Sequence, residues 1–484
     1  MAEGLRPGPP PFKRRGHGVA VSRVGECCVQ EYRTNAKSVL VIAQYIAPLN
    51  AVAAIRWTKL AKYLTRNFGY KIDVITNVDD LLKDKKGPYP SVKDSLLLKD
   101  RSCFNNYYDI SIPFLVYALE NVRYMAKAFL NKNGNEDIKK KNPTNDPQDT
   151  YKLREKAVEL YGDLYLKAQC QKPPSNIDYS QYDVIISTYG PLWTHVMAGQ
   201  LKNRFPHLIW IADFRDNPAR GCSPRLLNST SKYSVYAPLA DCVLAVSDGE
   251  LSGIRSRAGQ VRRVLTNGYD PDEIRGRRRL RRDVFAITCT GSIYGQFGQL
   301  EGRSDLRPLF WACEQLIARG LVDRESLEIH YAGREAGEFD RQIHDYPNLR
   351  RVVHGHVERK EALRLQDEAS LLVLPVWNTD AQQGIMSGRV YEYMASGVPI
   401  VCVCSGSRGD SEVKRRIESI GCGFVYEEAN AGRDAERLVS YIAEKYRQWR
   451  TEGLTTCDYA GEGIELYAYD RLAARLHGII EDLR

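Results

Sequence analysis

Short, β-branched and almost continuously apolar runs alternate with segments of helical period along nearly the whole chain, and that alternation admits few folds. Ser38 to Gln44 (SVLVIAQ) has the character of a parallel strand covered on both faces. After the Pro48-Leu49-Asn50 break, Ala54, Leu60, Ala61, Leu64 and Phe68 recur at helical spacing, and Lys71 to Thr76 (KIDVIT) reads as the next strand. This is a βαβ unit, the building block of an α/β fold with a parallel sheet.

A helix-rich insertion is predicted over 79–174, with a polar, mobile loop around 131–149. Alternation resumes with strands at 182–188, 208–213, 242–247 and 261–266 and a helix at 193–202. A second run follows, with strands at 285–290, 327–332, 349–353, 371–376 and 399–403 and helices around 309–319, 359–369 and 389–395. Two Rossmann-like sheets in tandem are therefore expected, each covered by helices on both faces. Ligands of such sheets lie outside the carboxyl ends of the strands, so two sheets facing each other enclose a cleft. The predicted organisation is a basic flexible leader over 1–37, a first domain over 38–274, a basic linker over 275–284, a second domain over 285–450 and a helical segment over 451–484.

Length and charge agree with this division. A chain of 484 residues exceeds what one hydrophobic core usually serves. The formal charge of +9 is concentrated: seven Lys/Arg against three acids up to Lys37, and six arginines in Arg275 to Arg282 (RGRRRLRR). The remainder is nearly balanced, which argues against a nucleic-acid partner. The arginine run reads as a solvated face or as contact with an anionic membrane surface. No CxxC pair occurs among the twelve cysteines, and no apolar stretch reaches the roughly 20 residues of a spanning helix. The leader, broken by Pro7, Pro9, Pro10 and Pro11, lacks the apolar core of a signal peptide. A cytoplasmic location with reduced thiols is expected, with the inner face of the membrane as an option.

The loop after the first strand contains no G-x-G-x-x-G, and G-x-x-x-x-G-K-[ST] is absent from the chain, which disfavours dinucleotide chemistry and P-loop phosphoryl transfer. Asn50-Ala51-Val52-Ala53 nevertheless places small residues at a helix start, where amides can approach an anion or form a simple tight turn. The stretch 383–399, QGIMSGRVYEYMASGVP, is richer. Gly384 and Gly388 flank a loop that opens into a helix with Arg389 in its first turn and Glu392 one turn on. Arg389 and the helix-start amides suit a diphosphate, and a carboxylate suits the two hydroxyls of a ribose. Alternatively, Arg389 and Glu392 form a surface ion pair. His354-Gly355-His356 reads as a strand end without a third metal ligand.

With these segments in view, the chain from Ser38 onward resembles the GT-B glycosyltransferases, and among them the retaining family 4. The resemblance is carried in order by VLVIAQYIAPLNAVAAIRWTKLAKYL, YDVIISTYGPLWTH, WIADFRD, VLAVSDGE, VLTNGYD, TGSIYG, HGHVERKEAL and GRVYEYMASGVPIV. It implies two Rossmann-like domains facing across a cleft. It also implies that the terminal stripe Ala468, Leu472, Leu476, Ile479 and Ile480 returns to the first domain. The resemblance places Glu392 on the donor ribose and Arg389 on the donor phosphates, with Gly291, Ser292, Tyr294, Gly384 and Gly388 around them and Asn267 and Tyr269 near the hinge. It implies an acceptor side at Asn50, Ala51, Tyr189, His195, Asp213, Arg215 and Asp216, with catalytic roles for His195, Asp213, Arg215 and Asp216 beside Arg389, and with Arg215 and Asp216 open to the alternative of a structural ion pair. Two departures stand out: Gly384 occupies the place of the family's first glutamate, and Ser292 and Gly298 replace the usual Arg and Lys.

The implied function is transfer of a hexose-type sugar from a nucleoside diphosphate sugar to a glycan or lipid-linked acceptor, with retention and without a metal or other cofactor, in surface polysaccharide synthesis. A nucleotide-sugar 2-epimerase and a non-catalytic nucleotide-sugar-binding homologue are the alternatives.

Overall fold

Strand β1 (Ser38–Ile42) is buried from Val39 onward because it lies inside its sheet, with strands on either side and helices over both faces. In this computed structural model, residues 37–83, 93–111, 113, 115, 118–119, 171–215, 234–274, 281–295, 303–459 and 463–484 are described. Strand β1 is joined by β2 (Lys71–Thr76), β3 (Tyr107–Asp109), β4 (Val184–Thr188), β5 (Ile209–Phe214), β6 (Cys242–Ala245) and β7 (Val261–Val264). All pair in parallel in the order β3-β2-β1-β4-β5-β6-β7, with Val39 opposite both Ile72 and Val184. The second sheet comprises β8 (Phe285–Thr290), β9 (Leu327–Ala332), β10 (Arg350–Val353), β11 (Leu371–Trp377), β12 (Ile400–Ser405) and β13 (Gly423–Glu427). Its order is β10-β9-β8-β11-β12-β13, again parallel.

Each sheet therefore reverses its direction of winding once, between β1 and β4 and between β8 and β11, and a crevice opens at such a point. In the second sheet the opening shows in the pairing: β11 meets β8 only at Leu371 and Leu372. Pro375, which has no N–H to give, lies beyond the parting, opposite Val403 of β12.

The first helix, Val52–Phe68, ends at Gly69 in the left-handed region, φ 68°, and buries Ala54, Trp57, Leu60, Ala61 and Leu64. Against that face packs the terminal helix Tyr469–Asp482, through Tyr469, Leu472, Ala473, Leu476 and Ile480. The chain thus crosses between the two sheets after β7 and again before Tyr469. The crossings touch: Tyr269 bridges Ala468, its N–H donating to Tyr467 O at 3.1 Å and its carbonyl accepting from Tyr469 N–H at 2.9 Å.

The segment predicted as a helical insertion contributes an edge strand, β3, to the first sheet. Strand β13 and the helices Ala336–Ile343, Glu412–Ile420 and Ala431–Glu452 complete the second domain without having been predicted. The leader up to Ala36, most of the linker arginines and the loop predicted at 131–149 lie outside the described residues. Among the described residues no helix is long and apolar enough to cross a membrane.

Candidate functional site

Where β8 and β11 part, the carbonyls at the end of β8 need other donors. The helix Gly388–Ser396 supplies them: Arg389 Nη1 donates to Thr290 O at 2.5 Å and Nη2 to Ser292 O at 2.9 Å. Thr290 N–H donates to the Tyr393 hydroxyl at 3.0 Å. Gly291, at φ +86°, lets the arginine arm pass; a methyl there would lie 3.1 Å from Arg389 Cδ. Tyr294 is exposed and meets Trp377 edge-on at 5.7 Å. The second crevice is thus rimmed by Gly291, Ser292, Tyr294 and a half-buried guanidinium.

Glu392 faces the other way. Its Oε1 accepts from Arg359 Nη2 at 2.8 Å, so the ion pair conceivable between Arg389 and Glu392 is not the one that forms. Glu392 lines a pocket with Tyr269, Asp270, Glu273, Arg359 and Gln366. The carboxylate is held at the side of the helix that faces the hinge.

Both predicted glycines are sites of contact between domains. A methyl on Gly384, at φ +71°, would lie 2.6 Å from Gly249 Cα, and one on Gly388 would lie 2.8 Å from Val52 Cγ1. Ser247 Oγ donates to Gly384 O at 2.7 Å, and Glu412 accepts from the N–H groups of Asp248 and Gly249 at 3.3 and 3.2 Å. Gly384 is thus placed against the first domain, where its carbonyl accepts from Ser247 and no side chain fits. Gly388 brings the start of its helix against the start of Val52–Phe68, beside Asn50 and Ala51.

Asn267 is buried and donates through Nδ2 to Met386 O at 3.4 Å. Its neighbour Gly268 has no room for a methyl, which would fall 2.2 Å from Tyr467 O. This segment therefore joins the two crossings, and Tyr269 reaches the Glu392 pocket from it.

The first crevice, at the ends of β1 and β4, gathers Tyr45, Tyr189 and Arg215. Arg215 Nη2 donates to Gly190 O at 2.9 Å and its guanidinium lies 5.6 Å from the Tyr45 ring centre. Tyr189 stacks on Phe214 at 5.7 Å. Two predicted catalytic residues are corrected. Asp213 is fully buried; its carboxylate accepts from Arg56 Nε at 3.2 Å, Arg56 Nη2 at 2.7 Å and Trp57 Nε1 at 2.8 Å. Its ion-pair partner is Arg56. His195 is also fully buried, with Nδ1 2.7 Å from Ser187 Oγ and the ring against Phe214. Burial pushes its pKa down to about 3, so it is a neutral core imidazole. Asp216 lies outside the described residues.

The sequence reading missed the ionic network on the first helix. Arg56 also donates to Thr266 O at 2.6 Å and Leu265 O at 2.8 Å. Lys59 Nζ lies 2.5 Å from Asp100, 2.6 Å from Asp270 and 2.5 Å from Glu273. These three carboxylates approach closely enough to ligate a metal, and the cation among them is this ammonium. Burial alone would raise the Asp270 carboxyl, but Lys59, Lys62 and Tyr63 outweigh it and hold its pKa at about 2. Arg359 extends the network from Glu392 to Glu273, its Nη1 2.8 Å from Glu273 Oε2. His354, just past the end of β10, lies 3.0 Å from His330 of β9, which in turn lies 3.1 Å from Glu328 of the same strand.

No family model matches the sequence, and no curated protein matches it. Solved structures do match in fold. The N-terminal domain of Candida albicans trehalose-6-phosphate phosphatase aligns with TM-score 0.51 and 12% identity over 94% of this chain and 98% of that one. An Escherichia coli structure described as trehalose-6-phosphate bound with UDP-2-fluoro glucose aligns with TM-score 0.51 and 12% identity over 92% and 99%. The α,α-trehalose-phosphate synthase of Burkholderia vietnamiensis aligns with TM-score 0.51 and 10% identity over 94% and 98%. With two parallel Rossmann-like sheets and a terminal helix that returns to the first of them, the chain has the GT-B architecture.

Proposed function

We propose that this protein is a retaining glycosyltransferase that moves a hexose-type sugar from a nucleoside diphosphate sugar to a glycan or lipid-linked acceptor in surface polysaccharide synthesis. The observation that carries the proposal is the convergence of two helix starts, at Val52 and Gly388, beside the Arg389 guanidinium. Helix starts and guanidinium together make a fixed positive potential, which a departing diphosphate requires. In this reading Arg389 and the amides near Gly291 and Gly388 hold the diphosphate, and Glu392 accepts the ribose hydroxyls. Their positive potential replaces a metal. Likeness in fold to a structure carrying UDP-2-fluoro glucose supports a nucleotide-sugar donor.

Tyr189 and Arg215, with Asn50, Ala51 and Asp216, form the acceptor side; an aromatic face and a cation suit a sugar joined to phosphate. The bond from the anomeric carbon to the diphosphate oxygen breaks while a bond to the acceptor oxygen forms on the same face. The acceptor proton passes to the leaving phosphate. The linker arginines favour working at an anionic membrane surface.

A second reading, binding without turnover, is favoured by Gly384, whose loop is packed against the first domain where the family carries a glutamate. One experiment tests both: the protein is incubated with a panel of UDP-, GDP- and ADP-sugars and an acceptor extract, and released nucleotide is followed by mass spectrometry. Nucleoside diphosphate accumulating with glycosylated acceptor supports transfer. Binding without release supports the second reading, and neither binding nor release refutes both.

A further inference from the structure

Arg359 begins the helix Arg359–Glu368, and its side chain is only 8% exposed. Its two ends face different carboxylates: Nη2 donates to Glu392 Oε1 at 2.8 Å, and Nη1 lies 2.8 Å from Glu273 Oε2 as an ion pair outside hydrogen-bond geometry. Glu273 belongs to the segment that crosses between the domains, and its other oxygen lies 2.5 Å from the Lys59 ammonium of the first domain. Lys59 in turn is tied to Asp100 and Asp270. The path Glu392, Arg359, Glu273, Lys59 is thus continuous from the second domain, through the hinge, to the first. It is also shielded: Lys59 is 1% exposed and Glu273 15%.

A carboxylate that is to accept two vicinal hydroxyls must stay charged and keep one rotamer. Arg359 supplies both conditions from the flank. It engages Oε1 of Glu392, and Asp270 and Glu273 line the same pocket and would otherwise repel that charge. A guanidinium spans both carboxylates at once, whereas an ammonium would keep the charge but reach only one of them. Glu273 in turn is anchored to Lys59, so Arg359 keeps its aim on Glu392 only while the hinge and the first helix hold their present arrangement.

We infer that Arg359 is a positioning residue for Glu392 and that, through Glu273 and Lys59, it makes recognition of the ribose depend on the arrangement of the two domains. The inference rests on the assignment of Glu392 to the ribose.

The test is calorimetric titration of the full chain with whichever of UDP, GDP and ADP binds tightest, with its 2′-deoxy counterpart, and with pyrophosphate. The quantity read is the ratio of ribonucleotide to 2′-deoxynucleotide affinity, which general loosening of the fold does not move. The wild type is expected to prefer the ribonucleotide by about tenfold, as for one hydrogen bond to a charged group. Arg359→Gln should bring the ratio close to one while pyrophosphate affinity stays within about twofold. Arg359→Lys should restore it in part, and Glu273→Gln, a milder change, should lower it to an intermediate value. If Glu392→Ala abolishes the preference and both Arg359→Gln and Glu273→Gln keep it, the inference about Arg359 is overturned while the ribose assignment stands. If Glu392→Ala keeps the full preference, the ribose assignment itself is wrong and the inference falls with it.

Discussion

Arg56 donates to both carboxylate oxygens of Asp213, although the two residues are 157 positions apart in the chain. With its remaining N–H groups the same guanidinium holds Leu265 and Thr266, the residues at which the chain leaves the first sheet. The pair is inaccessible to an acceptor and fastens the first helix to β5 and to the start of the hinge. Removing one member would strand the other as an uncompensated buried charge.

Asp213→Ala should therefore destabilise the protein by about 3–5 kcal/mol, read from urea denaturation. Arg215→Ala, at the half-buried rim, should change stability by less than about 1 kcal/mol and lower transfer. A folded Asp213→Ala variant with wild-type stability would show that the pair does not carry the first domain.

The two halves of the Gly388–Ser396 helix should separate in kinetics. Glu392→Ala is expected to weaken nucleotide binding by about 1.5–3 kcal/mol. In the proposed reaction the contact of Arg389 strengthens as the diphosphate departs, so Arg389→Ala should lower kcat more than it raises Kd. Equal losses in kcat and in affinity for both variants would remove this division of labour.

What was legible in the sequence is what local pattern encodes. The run SVLVI, the break and the helical spacing up to Phe68 mark the first βαβ unit, and the Gly-rich opening into Arg389 marks the second crevice. Arg56 and Lys59 are the opposite case. On a helix read for its apolar stripe they look like the solvated face, and the partners that bury them, Asp213 and Glu273, are 157 and 214 residues distant. Asp213 and His195 were misassigned for a related reason: a polar residue at a strand end or helix start has the same local signature whether it faces a cleft or a core. Strand β13 escaped notice because GFVYE is short and is followed by charged residues.

Gly384 offers a third measurement. Its positive φ, and the 2.6 Å that would separate an added methyl from Gly249 Cα, leave no space for a side chain, so Gly384→Ala should force the loop away from the first domain. The expected result is a lower Tm and a larger radius of gyration in solution scattering, with Gly384→Glu behaving alike instead of regaining a family feature. Unchanged scattering and melting in both variants would show that this contact is dispensable.

The fourth concerns acid. His195 stays neutral in the fold down to about pH 3, whereas an unfolded histidine takes up its proton near pH ~6.5. Between these values the unfolded chain binds the extra proton. Stability should fall as pH drops through that window, by up to about 1.4 kcal/mol per pH unit from this residue. Urea denaturation at about pH 7 and about pH 5 should show a smaller loss for His195→Gln than for wild type. An equal loss would mean that the imidazole protonates in the folded state.

The return of the helix Tyr469–Asp482 has a consequence for synthesis. Its residues Leu472, Leu476 and Ile480 fill the core into which Ala54, Trp57 and Leu64 of the first helix are packed. As the chain emerges from the ribosome, the first sheet is made early, but one side of its covering helix stays bare until more than four hundred further residues have been added. The part of the second domain's core that is built from residues up to Trp449 can close before the terminal helix is made. The half that is translated first therefore waits for the helix Tyr469–Asp482 to complete its core, and a nascent chain of this protein must keep the apolar face of its first helix from aggregating in the meantime.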